Sequence, residues 1–218
     1  LRKSFIYSGF IGFPSYGLVQ NRSLQQNSND KLPREVWIAS LSQMDLHEKN
    51  HQLMVDKIVQ IIADVVTMCQ PDIICLPEAF PTANIAQTFN LSEALDISDK
   101  ILKQFSELAK KYQCYLICPV FTSEDGLAYC SAVVFGRDGS RIGEYRKMHL
   151  PEAELERGLT PGPLDPPVFQ ADFGKFGIQI CIDISWDNGW KKLKEKGAEI
   201  VFWPSAFAGG QKVNAKAW

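Results

Sequence analysis

From Glu35 onward, short apolar runs alternate with longer stretches whose apolar residues recur every three or four positions. Val36 to Leu41 is the first apolar run and predicts a strand. His47 to Gln70 carries Met54, Ile58, Ile61, Ile62, Val65 and Cys69 at helical steps, which predicts an amphipathic helix stopped by Pro71. A strand over Asp72 to Leu76 follows. Ile97, Ile101, Leu102, Phe105, Leu108 and Tyr112 predict a second helix, capped by Ser92 or Ser98. Strands are predicted over Tyr115 to Phe121 and Ser131 to Phe135, the latter turning at Arg137-Asp138-Gly139-Ser140. Phe173-Gly174-Lys175-Phe176-Gly177 predicts a turn, and Gly177 to Cys181 a buried strand that ends at the cysteine. A helix over Asp187 to Lys196 and a strand over Ala198 to Trp203 close the pattern. Alternation of this kind predicts an α/β layered fold with strands covered by helices.

The composition is that of an ordinary globular domain, with 45% apolar and 22% charged residues. A length of 218 residues suits a single domain. A formal net charge of −2 offers no electrostatic footprint for nucleic acid or an acidic membrane. Six irregularly spaced cysteines, without paired Cys-x-x-Cys motifs, do not form a disulfide framework. The first 34 residues read differently from the rest. Arg2-Lys3-Ser4-Phe5-Ile6 before the apolar run Tyr7 to Val19 resembles a twin-arginine-like export leader over residues 2–19, and Gln20 to Asp30 a polar linker. A ragged N-terminus without a targeting role is the competing reading. The run is too short and too interrupted to span a bilayer as a helix.

Three reactive side chains stand at the ends of apolar runs. Glu78 closes Ile73-Ile74-Cys75-Leu76-Pro77-Glu78, Lys147 follows Ile142-Gly143-Glu144-Tyr145-Arg146, and Cys181 ends Gly177-Ile178-Gln179-Ile180. A carboxylate base, a cation and a thiol nucleophile are the parts that acyl transfer through a thioester requires. Each has a bland reading as well, namely a solvated strand end, a surface cation and an inert buried thiol. Cys69, Cys75, Cys114, Cys118 and Cys130 take that bland reading. Cys181 is expected to be the hyper-reactive thiol, its thiolate favoured by the neighbouring base or cation.

The blocks Cys75-Leu76-Pro77-Glu78-Ala79-Phe80, Tyr145-Arg146-Lys147-Met148-His149-Leu150 and Cys181-Ile182-Asp183 occur in this order. They resemble the three signature blocks of the nitrilase, or carbon–nitrogen hydrolase, superfamily, on its amidase and N-carbamoyl hydrolase side. Thr160-Pro161-Gly162 and Gly197-Ala198-Glu199-Ile200-Val201, leading to Pro204-Ser205, extend the likeness over residues 35–218. The resemblance implies a four-layer α-β-β-α sandwich that continues past Trp218, where a helix is beginning. It further implies a small amide, carbamoyl or nitrile substrate, no metal or organic cofactor, a homodimer or larger homo-oligomer, and a cytoplasmic location by family default. Glu78 is then the base, Cys181 the nucleophile, and Lys147 with the backbone N–H of Ile182 the oxyanion donors. An auxiliary glutamate is expected at Glu156, with Glu154 as second choice and Glu152 as a surface residue. Ser185-Trp186-Asp187-Asn188 departs from the aromatic-Pro-Glu frequent in the family, at a loop expected to border the pocket.

Two competing function classes remain open at this stage. His47-Glu48-Lys49-Asn50-His51 matches H-E-x-x-H, the pattern of a zinc hydrolase with two histidines one helical turn apart. The other is a catalytically silent binding protein of the same fold. A G-x-S-x-G elbow, a P-loop and a G-x-G-x-x-G loop are all missing from the sequence.

Overall fold

A computed structural model describes residues 35–206. The leader and linker expected over residues 1–34, and the helix expected near Trp218, lie outside the described residues. The elements in chain order are β1 (Ile38–Ser40), α1 (His51–Cys69), β2 (Ile73–Cys75), α2 (Leu91–Tyr112), β3 (Tyr115–Glu124), β4 (Leu127–Phe135), β5 (Arg141–Arg146), α3 (Glu152–Glu156), β6 (Val168–Ala171), β7 (Gly174–Ile178), a 3-10 turn (Cys181–Ser185), α4 (Asp187–Glu195) and β8 (Ile200–Phe202). β1 to β5 form one sheet in sequence order, with β1, β2 and β3 parallel and β3, β4 and β5 antiparallel. β6, β7 and β8 form a second sheet, β6 antiparallel and β8 parallel to β7.

The side-chain alternation of β3 and β4 explains how these sheets stack. Tyr115, Ile117 and Phe121 of β3, with Cys130, Ala132 and Val134 of β4, join Phe169, Phe176, Ile178 and Phe202 of the second sheet in one core. Leu116, Cys118 and Val120, with Val133 and Phe135, point the other way and meet Met54, Ile58 and Ile62 of α1 and Ile101 and Phe105 of α2. Being buried on both faces, β3 reads as a continuous apolar run rather than an alternating one. On the outer face of the second sheet, α4 lays the fully buried Leu193 over Gly177. A Cβ at Gly177 would fall 2.5 Å from the Leu193 side chain, so the close approach depends on glycine there. The order from one surface to the other is therefore helix, sheet, sheet, helix, the α-β-β-α sandwich expected.

Several boundaries differ from the sequence reading. α1 starts at His51 because Asn50 caps it, its side chain accepting from Leu53 N at 3.0 Å. α2 is capped by Asn90 in a capping box with Glu93, not by Ser92 or Ser98. The Ser98 hydroxyl instead donates back to the Ala94 carbonyl inside the helix. β3 and β4 run further than expected and meet at Asp125-Gly126, both with positive φ, as a two-residue hairpin needs. β7 begins at Gly174, inside the stretch predicted as a turn, and stops at Ile178, three residues short of the cysteine.

Candidate active site

Each of the three reactive side chains sits just past a strand end, and backbone hydrogen bonds anchor each approach. Leu76 N donates to the Ile117 carbonyl at 3.1 Å, so the chain stays on the sheet until Pro77. Glu78 follows, buried, and Ala79 then turns sharply with φ of 49°. Lys147 N donates to the Cys130 carbonyl at 2.8 Å, and Gly162 N donates to the Lys147 carbonyl at 2.7 Å. Gly162 packs so closely on this strand that a Cβ there would lie 2.3 Å from the Arg146 carbonyl oxygen. Cys181 itself adopts φ of 49°, a conformation uncommon for a residue with a Cβ and costing about 1–3 kcal/mol. That turn swings the thiol away from the line of β7.

These approaches bring Glu78, Lys147 and Cys181 together. Lys147, 1% exposed, donates from Nζ to Glu78 Oε1 at 2.8 Å and to Glu154 Oε1 and Oε2 at 2.7 and 3.0 Å. Glu78 Oε2 accepts from Ala206 N at 2.8 Å, and its charge lies close enough to the Cys181 thiol to oppose its ionisation. An ammonium has three donors, and Lys147 meets three acceptors here, Glu78 Oε1 and both oxygens of Glu154. The N–H of Ile182 lies in the first turn after the nucleophile, where no intrahelical acceptor exists.

Glu154, not Glu156, is the carboxylate joined to Lys147. α3 is a helix of five residues, and side chains two apart on a helix diverge. Glu154 therefore turns in, whereas Glu156 is exposed, as is Glu152.

The electrostatics also correct the picture of the thiol. Burial and the adjacent Glu78 charge push Cys181 up to about 11, against the opposing pull of Lys147 and a hydrogen bond from Ser205. Burial and Glu78 thus work against the raised thiolate fraction expected of Cys181. Burial pushes Cys75 to about 12 and holds Cys118 and Cys130 well above the usual thiol range. Burial acts to lower Lys147, but the charge of Glu78 and the hydrogen bonds of both carboxylates outweigh it and hold the ammonium above its ordinary range. Burial raises the Glu154 carboxyl despite Lys147.

A second polar knot braces the first. Asp183 is fully buried; Oδ1 accepts from His149 N at 3.0 Å and faces His149 Nδ1 at 2.8 Å, while Oδ2 accepts from Tyr145 O–H at 2.6 Å and Ile180 N at 3.0 Å. It ties the loop that carries Lys147 to the turn that carries Cys181. His149 stacks on Trp186 with ring centroids 4.1 Å apart. In the sequence Asp183 closes an apolar run, a signal for a buried, fully bonded acid.

The H-E-x-x-H match does not form a helical metal pair. Because α1 begins at His51, His47 and Glu48 precede the helix, and Glu48 instead bridges to Ile85. His51 Nδ1 shares a hydrogen bond with Gln87 Oε1 at 3.0 Å.

Comparison with known proteins agrees with this arrangement. Residues 38–218 match the sequence profile of the Carbon-nitrogen hydrolase family. Beta-ureidopropionase of Arabidopsis thaliana is 32% identical over 163 residues, covering 71% of this chain and 40% of that protein. Deaminated glutathione amidase of a Synechocystis strain is 28% identical over 149 residues, covering 62% of this chain and 54% of its own length. The chain thus spans about half the length of these relatives. The crystal structure of a carbon-nitrogen hydrolase from Helicobacter pylori G27 superposes with a TM-score of 0.69 at 26% identity, over 84% of this chain and 66% of that one.

Proposed function

This chain belongs to the carbon–nitrogen hydrolase family, and from that premise we propose that it hydrolyses a non-peptide carbon–nitrogen bond through a thioester on Cys181. The preferred substrate is a small amide or N-carbamoyl compound rather than a nitrile. The names of the two relatives, a ureidopropionase and an amidase, favour that choice. The observation that carries the reading is the buried cluster in which Lys147 bridges Glu78 and Glu154, with the Cys181 thiol beside Glu78.

The steps follow from this geometry. Glu78 takes the thiol proton as Cys181 Sγ attacks the substrate carbon, so the S–H bond breaks and an O–H bond forms on the carboxyl. Charge then builds on the substrate oxygen, held by the N–H of Ile182 and by Lys147, which turns one N–H away from its two-oxygen grip on Glu154. Collapse expels ammonia or an amine, which leaves with the proton from Glu78. A water, oriented by Glu154 and deprotonated by Glu78, attacks the thioester; the sulfur departs, regains its proton from Glu78, and a carboxylic acid is released. A thiol whose ionisation lies near 11 suits this route, because it ionises only as the base takes its proton.

The test is ammonium or amine release from a panel of amides, N-carbamoyl compounds and nitriles. Turnover of an amide or carbamoyl substrate, abolished in Cys181→Ala, supports the reading. Full turnover by Cys181→Ala rejects it.

A further inference from the structure

Four consecutive residues after β8 hold the nucleophile and its base. Trp203 Nε1 donates to the Cys181 carbonyl at 2.8 Å, and Cys181 N donates to the Pro204 carbonyl at 3.0 Å. Ala206 N donates to Glu78 Oε2 at 2.8 Å. Ser205 stands between the residue that binds the nucleophile's backbone and the residue that binds the base. These contacts place Ser205 beside the Cys181 thiol, and its side chain favours the ionised sulfur. We infer that the Ser205 hydroxyl is a thiolate-stabilising donor, giving a hydrogen bond to Cys181 Sγ as Glu78 removes the thiol proton. The inference rests on the Cys181–Glu78 reading above.

Donor and acceptor chemistry assigns the two partners of the sulfur. An ionised Glu78 carboxylate can only accept, so it takes the S–H; the Ser205 hydroxyl is the partner able to donate to sulfur. Proton transfer moves negative charge from the carboxylate to a half-buried sulfur, where burial and any residual carboxylate charge oppose it. Lys147 is engaged by Glu78 and by both oxygens of Glu154. A neutral donor on the sulfur stabilises the charge without adding a second cation to a buried cluster. Ser205 keeps its own proton throughout. The same contact helps twice, first when the thiolate forms and again when sulfur leaves the second tetrahedral intermediate. Trp203, Pro204 and Ala206 supply the backbone and ring contacts that aim the hydroxyl.

The experiment compares Ser205→Thr, which keeps a hydroxyl, with Ser205→Val, which has nearly the same shape and lacks it. The readout is the rate of iodoacetamide alkylation of Cys181, followed by peptide mapping, from neutral to strongly basic pH. The valine variant should alkylate with a midpoint about one pH unit above that of the threonine variant, since a hydrogen bond to a charged group is worth roughly that shift. Threonine should match wild type. Amide turnover by the valine variant should fall in kcat with little change in KM. Ser205→Ala, which fits the site without steric demand, serves as a second hydroxyl-free variant and should follow valine. Coincident midpoints for threonine and the hydroxyl-free variants, in proteins that melt cooperatively, would overturn the inference. Alkylation needs no turnover, so this failure is distinct from failure of the catalytic reading, which shows as activity in Cys181→Ala.

Discussion

Lys147 grips Glu154 through both carboxylate oxygens, at 2.7 and 3.0 Å, while its third contact at 2.8 Å goes to Glu78. A single buried ammonium therefore separates two acids, Glu78 beside the nucleophile and Glu154 on α3. This division of labour gives each carboxylate its own consequence.

Glu154→Gln should lower amide turnover by roughly 10²-fold, in the range typical for loss of a group that orients a proton transfer. Glu156→Gln, altering an exposed side chain on the same short helix, should leave turnover unchanged. Steady-state kinetics of the two variants decide the matter, and the reverse pattern would restore the sequence-based preference.

Lys147→Met keeps much of the volume and removes the charge. It leaves Glu78 and Glu154 facing each other without a counter-ion in a buried setting. Breaking a buried pair by removing one partner costs about 3–5 kcal/mol, so chemical denaturation should show a loss of that order together with loss of turnover. A variant as stable as wild type would mean that the cluster is better hydrated than its burial implies.

Glu78→Gln separates thiol ionisation from catalysis. The Glu78 charge raises the Cys181 pKa, which stands at about 11, so removing that charge should lower it. Alkylation of Cys181 should then begin at lower pH in the variant, while amide hydrolysis disappears for want of a base. A midpoint that moves up instead would show that Glu78 does not act on the thiol by its charge.

Asp183→Asn should destabilise by about 3–5 kcal/mol, because an amide offers one acceptor oxygen where four donors converge. Turnover should fall with it, since the same carboxylate aligns the loops of Lys147 and Cys181. Urea melts and kinetics on one preparation test both consequences.

The layers were readable from sequence because their physics is periodic. Met54, Ile58 and Ile62 repeat at helical steps and do pack on the sheet, and the apolar runs ending near Glu78, Lys147 and Cys181 do converge. Choosing Glu154 over Glu156 was not readable, because α3 is one turn and a half long and carries no hydrophobic repeat to set its facing. The state of Cys181 was hidden for another reason. Glu78 is 103 positions away in the chain, and whether its charge or that of Lys147 prevails depends on contacts made only after folding. Local competition explains the caps: Asn90 with Glu93 satisfies two backbone donors at once, which Ser92 inside the first turn cannot do.

Intact-mass spectrometry of protein quenched during turnover of an amide substrate addresses the central claim directly. The account predicts a mass gain equal to the acyl group, located on the Cys181 peptide and absent from Cys181→Ala. An acyl group on another residue, or continued hydrolysis by Cys181→Ala with no covalent species, would contradict it.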